Sequence, residues 1–222
     1  MCGRYDCHSE IEIIAKLFDV EDVACDFAPN YNVAPAQNIP IVVYEGNKSR
    51  LLLSRWGFLP SWAKDTKTGY AMINARAETI DSLTSYREAF FKTRCLVVAD
   101  GYYEWQRQAG MKIPYYIRLR SGVPMAFTGL YNYWKSPEGE GLCTSTIVTT
   151  DANELMAQIH NRMPVILHHA DFAPWLNSEV HDRDILKALL KPFPSEELEA
   201  YPVSSRVNSP RSNSPDNIKP AL

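Results

Sequence analysis

Cys95-Leu96-Val97-Val98-Ala99-Asp100-Gly101-Tyr102-Tyr103-Glu104-Trp105-Gln106 is the run on which the fold turns. Its first five residues are small or apolar with paired valines, the mark of a short buried strand. Asp100-Gly101 interrupts it, and residues 102–106 resume as a strand paired with 114–119 across a glycine-containing turn. Outward from this centre, residues 125–131 and 144–149 read as further strands. Upstream, 39–44 and 50–56 form a hairpin around Glu45-Gly46-Asn47-Lys48. Ser9 and Glu12 have the spacing of a capping box, ahead of an apolar face of Ile11, Ile14, Leu17 and Phe18. Residues 80–92 read as helix anchored by Leu83, Tyr86, Phe90 and Phe91, with shorter helices at 152–159, 173–176 and 184–190. Strands fill the middle, and the helices do not alternate with them in a βαβ pattern. The expectation is α+β: one domain over 1–222, with a curved antiparallel or mixed sheet forming an open barrel-like core flanked by short helices. Residues 204–222 are rich in Ser, Pro and Asn, and are either a disordered tail or a strap draped over the domain.

A chain of 222 residues is long enough for a proper core. Its five cysteines, Cys2, Cys7, Cys25, Cys95 and Cys143, are odd in number and form no Cys-x-x-Cys, which argues against a disulfide framework. Neither a signal peptide nor an apolar run of membrane-spanning length is visible. The expected setting is the reducing cytoplasm. The formal charge of −3 does not favour nucleic acid as a partner. A cleft can still be locally basic, and Arg4, Arg55, Lys64, Lys67, Arg76, Arg94 and Arg162 could line one.

The chemistry-bearing stretches begin at Met1-Cys2-Gly3-Arg4. Removal of Met1 would leave a 1,2-aminothiol. Its amine (pKa ~8) and thiol (pKa ~8.5) can together convert an aldehyde into a thiazolidine, which an internal cysteine cannot do. Equally, Cys2 could be an ordinary buried cysteine, or the nucleophile of a glutamine amidotransferase, although the further motifs of that class are missing. Asn74 and Arg76 lie two residues apart, on one face if extended, and could hold a phosphate and a sugar or base edge; the alternative is a helix entry with an exposed salt bridge. Glu104 among aromatic residues is either a proton-handling carboxyl or the polar face of an edge strand. His160 closes a helix ahead of Pro164, either projecting into a cleft or capping the helix dipole. Cys7 and His8 lack a second ligand pair at zinc spacing, so no metal is expected.

Taken in order, Met1-Cys2-Gly3-Arg4, 31–35, Arg55-Trp56-Gly57, 73–79, 100–105 and 159–164 resemble the SOS-response-associated peptidase (SRAP) family, and 202–208 resembles its closing segment. The resemblance implies covalent capture of abasic sites in single-stranded DNA, through a thiazolidine on Cys2. Asn74, Glu104 and His160 would line the reaction site, and Arg4, Pro35, Trp62, Arg76 and Arg162 would contact DNA. Self-processing before Cys2 and a weak lyase activity are implied as well. The protein is expected to be a monomer that needs no cofactor and has no membrane contact. The competing readings are an N-terminal-cysteine amidohydrolase or autoprotease without a DNA role, and a non-covalent reader of modified bases.

Overall fold

β-branched and aromatic residues crowd the centre of the chain, and the strands they form are longer than their apolar runs because hairpin turns set the ends. The computed structural model describes residues 2–221. In chain order the elements are β1 (Tyr5–Cys7), α1 (Ile11–Leu17), β2 (Asp22–Val23), β3 (Asn30–Val33), β4 (Asn38–Glu45), β5 (Lys48–Trp56), β6 (Asn74–Arg76), α2 (Arg87–Lys92), β7 (Arg94–Ala99) and β8 (Gly101–Gln108). There follow β9 (Met111–Leu119), β10 (Met125–Lys135), β11 (Gly141–Asp151), α3 (Glu154–Ala157), β12 (Arg162–Pro164), β13 (Ile166–Leu167), α4 (Phe172–Leu176), α5 (Arg183–Ala188) and β14 (Leu198–Pro202).

Five strands, β11, β10, β7, β4 and β5, pair in succession, and β5 returns to β11 through a parallel contact of Arg55 and Trp56 with Thr144 and Ser145. The ring is therefore closed, not open as expected. A two-residue parallel seam of this kind has no signature in hydrophobic periodicity. All six residues of β7 are buried, which explains why its sequence shows no alternation. A second sheet, β14-β9-β8-β1-β3, stands against the barrel, and β1 runs between β8 and β3. β6 adds to β11 in parallel, setting Asn74 opposite Ile147 and Arg76 opposite Thr149. The α+β reading holds. The hairpin at Gly46-Asn47 has positive φ at both residues, as a two-residue type I′ connection requires.

Three further expectations need correction. The capping box does not form: helix α1 is preceded by Glu10 without a side-chain cap, and the Ser9 hydroxyl goes instead to Asp100. The helix expected over 80–92 is regular only in α2. Residues ahead of it make successive turns, such as Leu83 N–H to the Thr79 carbonyl, and Leu83 is exposed instead of anchoring. Arg94, offered above as a cleft cation, is buried. Its Nε and Nη1 donate to the carbonyls of Trp175 (2.6 Å) and Phe90 (2.8 Å), and Nη2 to those of Asn177 and Val180, so it staples α2 and α4 to the barrel.

The segment after β14 is a strap. Val207 and Asn217 are buried, and the Asn32 amide donates to the carbonyls of Val207, Ser209 and Ser212 at 3.3, 2.8 and 2.9 Å. Among the described residues no helix is long and apolar enough to cross a membrane.

Arg94→Met is expected to destabilise the fold by about 2–4 kcal/mol, because four carbonyls, those of Phe90 and Trp175 in buried hydrogen bonds, lose a charged donor at once. Urea denaturation with an unchanged m value would register this as a lower midpoint.

Candidate active site

Cys2 lies just upstream of β1, so the placement of that strand decides where its thiol sits. Tyr5 pairs with Val33 on one side and Tyr102 on the other, and the Arg4 carbonyl accepts the Tyr103 N–H at 2.9 Å. Below Tyr5 the segment is locked by charge. Asp6 is fully buried and accepts from the Tyr116 hydroxyl at 3.2 Å, with the His8 ring 2.7 Å away. Tyr116 reaches it only because residue 101 is glycine: a Cβ there would stand 2.3 Å from the Tyr116 ring. Asp100 in turn accepts the backbone N–H groups of His8 and Ser9. The Arg4 guanidinium donates to the Asn32 Oδ1 at 2.8 Å and to the Val207 carbonyl at 2.9 Å, tying the N-terminal segment to the strap.

Cys2 itself is fully buried, and its carbonyl accepts from the Asn74 amide at 2.8 Å. Burial pushes its thiol well above the usual range, and the nearby Glu104 carboxylate pushes it further in the same direction. Glu104 is also buried; desolvation raises its carboxyl, while His160 pulls it back. Glu104 is thus close enough to both Cys2 and His160 for charge to couple it to each. The Arg162 N–H donates to His160 Nδ1 at 3.0 Å, so a neutral His160 carries its proton on Nε2. Arg162 is held by Glu78, Asp151 (2.8 Å) and the Thr149 carbonyl (2.7 Å). An open groove of about 410 Å³ runs from Glu104 and His160 past Trp105, Asn208, Arg107 and Lys112.

The fold therefore gathers Cys2, Asn74, Glu104 and His160, with Arg4 and Arg162 bound at the margins. Arg76 is exposed at the end of β6, and among the described residues no carboxylate pairs with it within ion-pair distance; Glu78, its sequence neighbour, pairs with Arg162. Trp62 and Pro35 are outside the hydrogen-bonded cluster, Trp62 with 56% of its surface exposed and Pro35 half-buried in a turn. The position of Met1 lies outside the described residues.

A family model described as SOS response associated peptidase (SRAP) matches residues 1–210. The chain belongs to this family. Across 99% of both chains it is 47% identical to a protein of Bacillus subtilis named abasic site processing protein YoqW. It is 34% identical to abasic site processing protein HMCES of Xenopus tropicalis, over 97% of this chain and 77% of that one. A crystal structure of a Bacteroides thetaiotaomicron protein superposes with a TM-score of 0.91, at 29% identity and complete coverage of both chains.

Some neighbours of this cluster escaped the reading of the sequence. Tyr102 precedes Glu104 on the same strand face, is fully buried, and senses the charge of both Cys2 and Glu104; its hydroxyl has no hydrogen-bond partner among the described residues. Period-two alternation from Glu104 could have found it. Asp6, His8 and Asp100 bring one ligand-type atom each within 4.8 Å of one another, which is a spacing a metal could use. The hydrogen bonds they already make to Tyr116, the Ser9 hydroxyl and two backbone N–H groups suit a structural clasp better.

That clasp has a pH signature. Burial raises the Asp6 carboxyl from its ordinary 3.8 to about 6, and the hydrogen bond to Asp6 raises His8. Both groups hold protons more tightly in the folded chain than in the unfolded one, so their contribution weakens as pH rises. Relative to Asp6→Asn, the wild type is expected to lose thermal stability between pH 4 and 6. Parallel Tm profiles of the two proteins would exclude the clasp as a titrating unit.

Proposed function

We propose that this chain captures the aldehyde of an abasic site in single-stranded DNA on Cys2 and holds it as a thiazolidine. One observation carries the reading: the second residue of the chain is a buried cysteine at the head of a doubly paired strand, held at its carbonyl by Asn74 beside Glu104. A free α-amine is needed, so Met1 must be removed, and the peptidase of the family's name would be this self-processing. The names borne by the relatives support abasic DNA as the substrate.

The amine attacks C1′ of the ring-opened sugar, water leaves and a C=N bond forms. The thiol then adds across that bond: sulfur joins carbon, and the thiol proton ends on nitrogen. Burial keeps the thiol protonated until this step, so ring closure needs a base within reach. Glu104 suits both halves. Its raised carboxyl retains a proton to give to the departing oxygen, and the resulting carboxylate can take the thiol proton. His160, with its proton on Nε2, is a second donor on the same groove. Closure removes the imine, the electron sink through which β-elimination would cut the strand. A weak lyase activity would then measure the imine that escapes closure.

In this reading Arg76 and the exposed Trp62 meet the strand directly and Pro35 borders it, while Arg4 and Arg162 present fixed charge to its phosphates. Affinity for undamaged strands would be weak and nearly independent of sequence.

Incubation with an oligonucleotide bearing one abasic site, followed by a denaturing gel, tests the proposal. A heat-stable band is expected from protein whose intact mass lacks Met1, and none from Cys2→Ala. A heat-stable band from Cys2→Ala without added reductant would overturn it, as would activity in protein that keeps Met1. Tight binding without a band would indicate a non-covalent reader, and neither would favour an amidohydrolase. Glu104→Gln keeps shape but cannot exchange protons, so adduct formation in pre-steady-state measurements is expected to slow by ~10-fold or more.

A further inference from the structure

The groove that begins at Glu104 and His160 ends between two cations that the proposed chemistry does not use. Arg107 and Lys112 are directly opposite each other on β8 and β9, and both are exposed. Neither forms an ion pair among the described residues. Like charges facing each other across a strand pair destabilise a hairpin unless an anion lies between them. The turn beyond them, Ala109-Gly110 with positive φ at both residues, closes the hairpin by itself and does not require that pairing.

The walls between this pair and the reacting groups are fixed. The Trp105 indole N–H donates to Asn208 Oδ1 at 2.7 Å, which anchors the ring to the strap. The Gln106 amide donates to the Gln158 carbonyl at 2.8 Å, binding the hairpin to the segment that leads into His160. Trp105 and Arg107 share a strand face, so the cation lies one side chain beyond the indole. Arg107 is three positions beyond Glu104, roughly 10 Å along the strand and within the span of neighbouring nucleotides; their side chains alternate in face, yet both residues line the groove. The net charge of −3 offers no general attraction for a polyanion, so contact has to come from local cations such as these.

We propose that Arg107 and Lys112 form a phosphodiester-binding subsite that holds the strand leading away from the abasic residue, along the groove walled by Trp105 and Asn208. This rests on the reading that the chain acts on single-stranded DNA, and goes beyond it by giving the strand a path on the β8–β9 side.

The test is the salt dependence of binding to an undamaged single-stranded oligonucleotide. Each phosphate contact contributes a slope of ~0.7 in log K against log salt for single strands. Arg107→Gln with Lys112→Gln is expected to flatten the slope by about 1.4, each single change by about 0.7, and Arg107→Lys to keep the wild-type slope. The folded state should tolerate the double change, with Tm unchanged or raised because a like-charged pair is gone. A wild-type slope in the double variant would overturn the subsite. Because undamaged strands cannot crosslink, that failure is distinct from a wild type that gives no heat-stable band on abasic DNA, which would overturn the covalent reading alone.

Discussion

The structure depends on how the short strand β1 is held between β8 and β3. In the proposed chemistry the segment just upstream of it carries the reacting cysteine, and a three-residue strand cannot fix that segment unaided. The fold answers by inserting β1 between two other strands and then locking the residue below it. Asp6, buried beneath Tyr116 and beside His8, turns the short strand into a fixed post. Gly101 is the geometric condition of that lock, since any side chain there would occupy the Tyr116 ring position. Arg4 completes it from above by joining the N-terminal segment to Asn32 and the strap.

Burying Cys2 beside Glu104 sets two acids against each other in a poorly solvated space. Burial raises the cost of ionising both, and the Glu104 carboxylate raises that of Cys2 further. The effect is a site whose acidic groups hold their protons more tightly than they would in water. His160 moderates this on the groove side, and its orientation comes from a backbone N–H whose own residue is pinned by three acceptors. The site is rigid where protons move and open where a strand would pass.

Much of this was legible in the sequence, for identifiable reasons. Hairpins with paired left-handed residues announced themselves at Gly46-Asn47, and alternation through 102–106 found β8. The candidate residues Cys2, Asn74, Glu104 and His160 lay in short motifs whose residue types suit nucleophilic attack, hydrogen bonding and proton transfer in turn. What failed was non-local. The β5–β11 seam depends on two residues meeting from distant segments. Ser9 has the spacing of a cap, but a buried carboxylate at Asp100 offers its hydroxyl a stronger partner. Arg94 looked like surface charge because sequence does not reveal where helix-end carbonyls converge. The strap was undecided because its polar composition suits either outcome; Asn32 decides it by supplying donors to three of its carbonyls.

The position of β1 also has a kinetic consequence. Its partners come from the early chain at β3 and the middle of the chain at β8, and the strap that grips Arg4 comes from the end. Contacts of such long sequence separation incur loop-closure entropy before they return any stabilisation, and they form late in folding. A growing or unfolded chain therefore carries the cysteine without Asn74, Glu104 or His160 around it. Cys2, Asn74, Glu104 and His160 meet only once the topology is complete, so in the proposed chemistry crosslinking would report on the folding of the entire domain.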